Sequence, residues 1–350
     1  MGSPRVSVCM LTRQASPALE ACLRSLRAEA EEIPIELLVA SDGDAAAVEP
    51  VRRHFPDAIV GLGEGAHLGH ARNFLVVRAR AELLWFLDDD VTVRPGSLGR
   101  LIELSEREPE VDVFGGPNLT PPGSGAFEVV QGAVLASVVG SGPVRRRYGR
   151  RRQTIADERF FILCNMAIRR SAMLPFPAEL RGGEENALLT DLSRAGARML
   201  YDPKLVVYHE RRPTFRGFAA QMHKYGVGRG QVIRRRPREA RPAYLAPVAL
   251  IGCAAVGAPL ALVNPLLLAP LGVYAAAMVA QAVKIGIGRR RVSAALLAAV
   301  LLVTLHVCYG LGVISGLSRR PRPRLRQREA VFALVTDAEP GVPQGPGSLR

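Results

Sequence analysis

Three consecutive carboxylates, Asp88, Asp89 and Asp90, directly follow the apolar run Leu83–Leu87. Neighbouring acids repel one another and lose hydration beside a buried strand, so they lower stability unless a cation or hydrogen-bond donors compensate. Mg²⁺ and Mn²⁺ prefer oxygen ligands and often join carboxylates to a substrate phosphate. The triplet therefore indicates a divalent-metal and phosphate site. The alternative, from these residues alone, is a solvated turn after a strand.

The elements that must position these acids alternate between strand-like and helix-like patterns in the first half of the chain. Ile35–Ala40 is a second apolar strand pattern and ends at Ser41–Asp44, while Ala18–Ala30 repeats apolar residues at helical spacing. In such α/β folds, ligands collect at the carboxyl ends of parallel strands. The sequence predicts a Rossmann-like, mostly parallel sheet with helices on both faces and the two acidic turns at one edge.

Charge and cysteine content indicate what kind of partner the protein binds and in which redox compartment it lies. The net charge is +14, and arginine runs occur at residues 145–152, 234–241, 289–291 and 319–328. Three of these runs flank apolar segments and few aromatic residues are interleaved, which favours an anionic membrane surface over nucleic acid as the partner. Five scattered cysteines argue against a disulfide framework or a zinc site and predict a reducing compartment.

The second half of the chain predicts a membrane region. No charged residue occurs in Tyr244–Val283, which Asn264-Pro265 interrupts, and Val292–Leu317 is a third apolar segment. Because about 20 apolar residues span a bilayer, residues 244–283 are expected to form a helical hairpin. We expect a catalytic-type domain over residues 1–235, a membrane region over 236–318, and a basic, disordered tail over 319–350.

The topology of the third apolar segment stays open at this stage. The N-terminus lacks the basic start and apolar run of a signal peptide, so the first domain is expected in the cytoplasm and the chain in the cell membrane, as a multi-pass protein. The hairpin then returns to the cytoplasm at Lys284–Arg291, as the positive-inside rule requires. A third crossing would place Arg319–Arg328 outside. The last segment is therefore re-entrant or interfacial, or the rule is overridden.

The ordered motifs between Arg5 and Gly230 resemble those of a family 2 glycosyltransferase with a GT-A fold. The similar segments are the opening strand Val6–Arg13, the nucleoside-binding strand and turn Leu38–Asp44, the helix start Gly69–Asn73, the metal-binding Asp88–Asp90, the acceptor-side strand Cys164–Arg170 around Asn165, and the acid pair Glu184-Glu185. Three positions depart from the family pattern, which usually has Pro where Leu11 stands and Asp where Ser41 and Glu185 stand.

The resemblance implies a nucleotide-sugar donor and roles for individual residues. Asp42 would accept hydrogen bonds from the base or ribose, and Arg72, at a helix N-terminus that favours anions, would reach the base or pyrophosphate. Read alone, Asp42 is equally a turn residue and Arg72 an exposed helix arginine. The implied donor-binding residues are Thr12, Asp42, Arg72, Asn73, Asp88, Asp89, Asn165 and Arg229, and the implied metal ligands are Asp88, Asp90 and His209.

An inverting transfer needs a base for the proton of the acceptor hydroxyl. The resemblance assigns this role to Glu185, with Glu184 as the fallback. Acids in the first turn of a helix also stabilise it without any catalytic role, which is the alternative for this pair. Downstream, the glycines of Tyr225–Gly230 indicate a loop that closes over the diphosphate and brings Arg229 to it, or a flexible linker with an interfacial arginine.

The sequence therefore predicts a membrane-anchored glycosyltransferase that uses Mg²⁺ or Mn²⁺ and a hydroxyl acceptor, lipid-linked or belonging to the cell envelope. A nucleotidyltransferase is a second reading, although Thr12–Pro17 lacks the glycine-rich phosphate loop of that class. A non-enzymatic scaffold with a degenerate transferase domain is a third, which the departures at Leu11, Ser41 and Glu185 favour and the intact Asp88–Asp90 opposes.

Overall fold

The chain is described by a computed structural model over residues 3–42, 45–63, 68–150, 152–180, 182–318 and 332–335. The strands are β1 (Val6–Thr12), β2 (Ile35–Asp42), β3 (Ile59–Gly63), β4 (Leu83–Asp88), β5 (Val91–Val93), β6 (Val113–Gly115), β7 (Asn118–Leu119), β8 (Thr154–Ala156), β9 (Asn165–Arg169), β10 (Met199–Tyr201), β11 (Val207–His209) and β12 (Ala333–Leu334). The helices are α1 (Pro17–Glu29), α2 (Val48–His54), α3 (Leu68–Arg78), α4 (Ser97–Arg107), α5 (Ala126–Leu135), α6 (Val138–Ser141), α7 (Glu184–Arg194), α8 (Phe215–Arg235), α9 (Pro242–Leu260), α10 (Ala269–Arg289) and α11 (Val292–Ser318).

These elements divide between two compact units. Unit 1 comprises residues 1–118, 150–210 and 322–350, and unit 2 comprises residues 119–149 and 211–321. The division differs from the predicted boundary after residue 235, because α5, α6 and α8 group with the apolar helices. Helix α8 groups with the apolar helices because its glycines pack closely against α11. The sequence of α8 alone does not reveal this contact.

Unit 1 is built on a nine-stranded sheet of order β12-β3-β2-β1-β4-β9-β6-β10-β8. Strands β3, β2, β1 and β4 are mutually parallel, whereas β9 runs antiparallel between β4 and β6. The parallel half agrees with the predicted βαβ rhythm. The other half of the sheet is mixed, because β9 runs antiparallel to both of its neighbours. The sequence pattern did not predict the order of these strands.

The central strands of unit 1 are buried on both faces, as parallel strands covered by helices are. Successive side chains of a strand point to opposite faces, so Val6, Val8 and Met10 pack with α1 and α4 while Cys9 packs with α3. Helix α1 begins after Ser16, whose hydroxyl accepts a hydrogen bond from the Leu19 amide. This packing and the register of the two strands place the ends of β1 and β4 side by side.

A second, three-stranded sheet of order β5-β11-β7 stands beside the end of β4. Strand β11 runs antiparallel to β5 and places His209 opposite Val91. The amide of Glu210 donates to the Asp90 carbonyl at 3.2 Å and extends this ladder. The backbone therefore holds His209 beside the acidic turn, although 119 positions of sequence separate His209 from Asp90.

Unit 2 contains the apolar helices. Among its described residues, two helical segments are long and apolar enough to cross a membrane, Pro265–Arg289 with mean hydropathy 1.9 and Val292–Ser318 with 2.2. The apolar stretch Pro242–Gly257 is shorter, and the pair Ala126–Leu135 and Val138–Tyr148 passes the same test only as one span bent by 67°. The predicted hairpin over residues 244–283 corresponds to α9 and most of α10.

The segment Tyr225–Gly230 is neither a loop nor a linker, so both sequence interpretations of it were wrong. It lies inside α8, where a Cβ on Gly226 would stand 2.9 Å from the Gly312 Cα, and one on Gly230 would stand 2.9 Å from the Leu317 amide nitrogen. The glycines therefore serve close packing of α8 against α11.

The predicted tail lies almost entirely outside the described residues. Its exception is residues 332–335, where β12 pairs antiparallel with β3 and places Ala333 opposite Leu62. The sequence analysis expected disorder here, but these four residues are ordered and include a strand. Phe332 is 8% exposed and packs onto Gly63 of β3, which has no side chain in the way.

Candidate active site

The acidic triplet lies where the parallel strands end, as the sequence predicted. Asp88 is the last residue of β4 and stands opposite Leu11 of β1, so Thr12 and the three acids meet at one edge of the sheet. The Thr12 hydroxyl donates to Asp89 Oδ2 at 2.7 Å. Thr12 is buried and the three acids are half-buried, which makes this a shaped site within unit 1.

Asp88, Asp90 and His209 form a cluster suited to a metal ion. Each contributes one potential ligand atom, and these atoms all lie within 4.8 Å of one another. His209 Nε2 is 2.9 Å from Asp90 Oδ1, whereas His209 Nδ1 is buried without a partner among the described residues. Two carboxylates and an imidazole suit Mn²⁺ well and leave positions for phosphate oxygens. These residues therefore fit the predicted divalent cation.

Burial makes this cluster electrostatically unfavourable without a cation. Desolvation raises the pKa of Asp88 to about 6, and Asp90 and Glu185 add to the rise while His209 and Arg72 oppose it. Burial also raises the pKa of Asp89, against the hydrogen bond from Thr12. A bound positive charge would remove this penalty, because it favours the ionised carboxylates.

Arg72 is not the exposed helix residue of the simpler interpretation. It lies in the first turns of α3, is 7% exposed, and forms a buried ion pair with Glu184. Its guanidinium carbon stands 5.5 Å from the centroid of the Phe176 ring. Burial and a charged partner fix the position of the guanidinium, which remains close enough to influence Asp88 electrostatically.

Asn73 and Asn165 are both occupied by protein partners. The Asn73 amide donates to the Phe176 carbonyl at 3.0 Å and accepts from the Phe176 amide at 2.8 Å. Asn165 accepts from Trp85 Nε1 at 3.3 Å and donates to the Leu205 carbonyl at 2.8 Å. Both side chains thus hold segments that border the site, although they were predicted to bind the donor.

The acid pair Glu184-Glu185 begins α7, and its two side chains differ in burial. Gly183 precedes the helix with a φ of 78°, a conformation that other residues adopt only with strain. Glu184 is 3% exposed, bonds Arg72 through Oε1, and leaves Oε2 buried without a partner among the described residues. Glu185 is half-buried and adds to the rise in the pKa of Asp88.

The two remaining predicted residues are Asp42 and Arg229. Asp42 ends β2 opposite Gly63 of β3 and is half-buried, while Gly43 and Asp44 of its turn lie outside the described residues. Arg229 belongs to unit 2, inside α8, with its guanidinium carbon 4.0 Å from the centroid of the Tyr244 ring. The structure therefore holds Arg229 on a helix, not on a closing loop.

Phe176 is the site residue that sequence reasoning missed. It is 2% exposed, stacks with Arg72, packs edge-on against Phe86, and is held by Asn73. The segment that carries it approaches α3 closely, since a Cβ on Gly69 would lie 3.0 Å from the Ala178 Cα. An aromatic residue between Pro175 and Pro177 was the available signal.

Residues 7–174 match the family model described as Glycosyl transferase family 2. The match covers just under half of the chain and confirms the resemblance drawn from the motifs. Fold and match together indicate the class: residues 7–174, which include residues 119–149 of unit 2, are similar to a glycosyltransferase domain of family 2, and the sheet has a GT-A-like fold. No curated protein matches the chain.

Solved structures with the same fold include the mannosyltransferase PcManGT from Pyrobaculum calidifontis, in complex with GDP-Man and Mn²⁺. It is 19% identical, the alignment covers 90% of this chain and 87% of that one, and the TM-score is 0.55. TarS residues 1–349 from S. aureus, in complex with UDP-GlcNAc, are 16% identical with a TM-score of 0.46, covering 64% of this chain and 66% of that one. The similarity to PcManGT supports the assignment of a GT-A-like fold.

Proposed function

We propose that this protein transfers a sugar from a nucleotide-sugar to a hydroxyl acceptor in a divalent-metal-dependent, inverting reaction. The observation that carries the proposal is the cluster of Asp88, Asp90 and His209 at the carboxyl edge of a family 2 sheet. Three ligands drawn from β4, the following turn and β11 converge there. A solvated turn of acids would not require a buried histidine beside it, whereas a metal site would.

The metal ligands in this proposal are Asp88, Asp90 and His209. A divalent cation held by them would neutralise negative charge on the leaving diphosphate and orient its oxygens. Asp89 is engaged by Thr12 and shapes the turn that presents its neighbours. Arg72 adds a fixed positive charge on the same edge of the sheet, held in place by Glu184 and Phe176.

Glu185 is the proposed base. In a single displacement its carboxylate takes the proton from the acceptor hydroxyl as that oxygen forms a bond to the anomeric carbon. The bond from the anomeric carbon to the phosphate oxygen breaks, and the electron pair leaves with the nucleoside diphosphate. Glu185 suits this role better than Glu184, because Glu184 is committed to the buried pair with Arg72.

Glu184 is proposed as a positioning residue. Its Oε1 anchors Arg72, and its buried Oε2 is directed to no donor among the described residues. A buried carboxylate oxygen without a hydrogen bond is costly, so the ion pair with Arg72 is what keeps Glu184 in place. Asp42, at the end of β2, is proposed to contact the nucleoside.

The acceptor is proposed to lie near a membrane. The two long apolar helices of unit 2 support membrane association. The clustered arginines, which the positive-inside rule places on the cytoplasmic side, support a cytoplasmic catalytic domain in the cell membrane. A lipid-linked or cell-envelope acceptor would meet the enzyme there.

Nucleotide binding tests the proposed function. The purified full chain in detergent would be titrated with GDP, UDP and dTDP, with and without Mn²⁺. GDP comes first because the fold neighbour PcManGT was solved with GDP-Man and Mn²⁺. We expect metal-dependent binding of one nucleotide, and at least a tenfold weakening in Asp90→Asn, since the variant loses one charged ligand.

The matched control is Asp191→Asn, a half-buried acid on α7 outside the metal cluster. It should bind nucleotide as the unchanged chain does. If no nucleotide binds to folded protein, or if Asp90→Asn binds as tightly as the unchanged chain, the metal-dependent transferase is refuted and the scaffold becomes the better account.

A further inference from the structure

Strand β12 places Phe332 in line with Asp42, the residue proposed to contact the nucleoside. Asp42 of β2 stands opposite Gly63 of β3. Ala333 of β12 stands opposite Leu62, and because β12 and β3 are antiparallel, this register places Phe332 opposite Gly63. Since neighbouring strands are about 4.8 Å apart, the backbone of Phe332 is roughly 10 Å from that of Asp42. Both residues belong to unit 1.

Asp42, Gly63 and Phe332 also share one face of the sheet. Leu38 and Ala40 precede Asp42 at the two-residue period of a strand, and both belong to the apolar cluster on the α3 side, as Phe332 does. A Cβ on Gly63 would stand 2.7 Å from Cε1 of the Phe332 ring. The ring therefore occupies the space of the missing side chain, on the face to which Asp42 belongs.

The same ring packs against helix α3, which carries Arg72. Its centroid is 4.9 Å from that of the Phe74 ring. Phe74 in turn covers Gly61 of β3, where any side chain would collide with the ring. Phe74 lies two residues after Arg72, so the packing of Phe74 also holds the helix backbone that presents Arg72. Two glycines of β3 thus let rings from α3 and β12 lie directly on the strand.

Contacts on both faces of the sheet hold β12 in place. The Val335 amide donates to the Val60 carbonyl at 2.9 Å, and Arg52 Nη2 donates to the Val335 carbonyl at 2.6 Å. Val335 packs against the cluster on the α1 side, whereas Phe332 is buried in the cluster on the α3 side. These contacts make β12 an integral strand of unit 1.

We propose that Phe332 is a positioning residue of the donor site. Its ring holds the end of β3 and helix α3 in the arrangement in which Asp42 meets the nucleoside and Arg72 faces the diphosphate. The proposal rests on the proposed function. Phe332 is buried, so it acts through Gly63 and Phe74 and not by contact with the donor. Strands β2 and β1 separate β3 from β4, which carries the acidic turn, so the effect falls on donor binding.

Nucleotide titration and donor kinetics test this role. The full chain in detergent with Mn²⁺ would be titrated with whichever of GDP, UDP and dTDP the unchanged chain binds. We expect Phe332→Ala to weaken binding about tenfold, which corresponds to about 1.4 kcal/mol. The KM for the donor should rise while kcat stays nearly unchanged, as it does when a mutation removes binding common to the ground and transition states. Phe332→Leu keeps an apolar side chain above Gly63 and should retain most of the affinity.

A double-mutant cycle with Gly63→Ala isolates the contact. In the unchanged chain the new Cβ would collide with the Phe332 ring, so Gly63→Ala should also weaken nucleotide binding. In the Phe332→Ala background the ring is gone, and the same substitution should cost little more. Such non-additivity is expected of residues in contact.

Leu104→Val, in the buried cluster on the α1 side, is the control for a general loss of stability. It should lower the melting temperature and leave nucleotide affinity unchanged. The proposal is overturned if Phe332→Ala binds nucleotide as tightly as the unchanged chain, or if Leu104→Val loses as much affinity as Phe332→Ala. Absence of nucleotide binding by the folded, unchanged chain would instead refute the proposed function itself, and this role with it.

Discussion

At the scale of single residues, burial assigns different tasks to two adjacent glutamates. Glu184 is almost fully buried against Arg72, whereas Glu185 is half-buried and next in the same helical turn. Consecutive residues of a helix point about 100° apart, so one faces the core and the other faces the site. In the turn after β4, a hydrogen bond distinguishes Asp89, which accepts from Thr12, from Asp88 and Asp90 in the cluster suited to a metal ion.

Substitution of each glutamate by glutamine is expected to separate catalysis from stability. In Glu185→Gln we expect kcat to fall about 100- to 10,000-fold, because the amide does not accept the acceptor's proton. The melting temperature should change little, because Glu185 is half-buried. Steady-state kinetics with the donor found by nucleotide binding would measure the first effect and thermal unfolding the second.

Glu184→Gln is the matched comparison. Removing one partner of a buried ion pair costs about 3–5 kcal/mol, since Arg72 would remain charged and buried. We therefore expect a clear loss of thermal stability. Full activity in Glu185→Gln, together with a folded but inactive Glu184→Gln, would reverse the two assignments.

At the scale of elements, close glycine contacts decide how the helices of unit 2 associate. Gly226 and Gly230 on α8 and Gly312 and Gly316 on α11 are spaced four residues apart on each helix. Glycines at this spacing let two helix backbones approach each other, as small residues do in membrane helix pairs. The sequence analysis interpreted the glycines of α8 as a loop or a linker, because a single segment does not reveal the helix that packs against it.

Gly226→Ala is expected to destabilise the pairing of α8 with α11. The added Cβ would collide with the Tyr309 carbonyl and stand 2.9 Å from the Gly312 Cα, so the backbones must separate. We expect a loss of about 1–3 kcal/mol, as for other overpacked sites. Thermal unfolding in detergent would measure it.

Gly272→Ala on α10 is the control, because a Cβ there meets nothing within 4 Å. It should be neutral or slightly stabilising, since alanine favours a helix by about 1 kcal/mol over glycine. Equal stability of the two variants would argue against the glycine contact.

At the scale of the whole molecule, each unit is built from segments that are not continuous in the sequence. Unit 1 is completed by a strand from the C-terminal region, and unit 2 takes residues 119–149 from between strands of unit 1. The edge strand β3 is thereby covered, which protects backbone groups that exposed edges leave unpaired.

Phe332→Ala is expected to release β12 from this edge. The ring fills the space above Gly63 and contacts Phe74, so its loss removes apolar contact that holds the strand. We expect faster hydrogen exchange at the amides of β3, measured by mass spectrometry. Leu334→Ala, at a position 50% exposed, should exchange as the unchanged chain does. Unchanged exchange in Phe332→Ala would show that backbone pairing suffices.

The sequence by itself determined the class of protein and most of the candidate site. Apolar periodicity predicted the parallel strands, and the positions of Asp42 and Asp88–Asp90 at their ends followed from strand geometry. The ordered motifs identified the family. Local pattern suffices there because strand ends and helix starts are set by neighbouring residues. Long uncharged stretches likewise revealed the apolar helices.

Tertiary structure alone decided which distant residues meet. His209 reaches Asp90 only because β11 pairs with β5, Arg72 is buried only because α7 supplies Glu184, and the glycines of α8 take their role from α11. Each outcome depends on contacts between segments far apart in the chain. A residue's burial and partner are properties of the packed state, so neither its type nor its neighbours in sequence specify them.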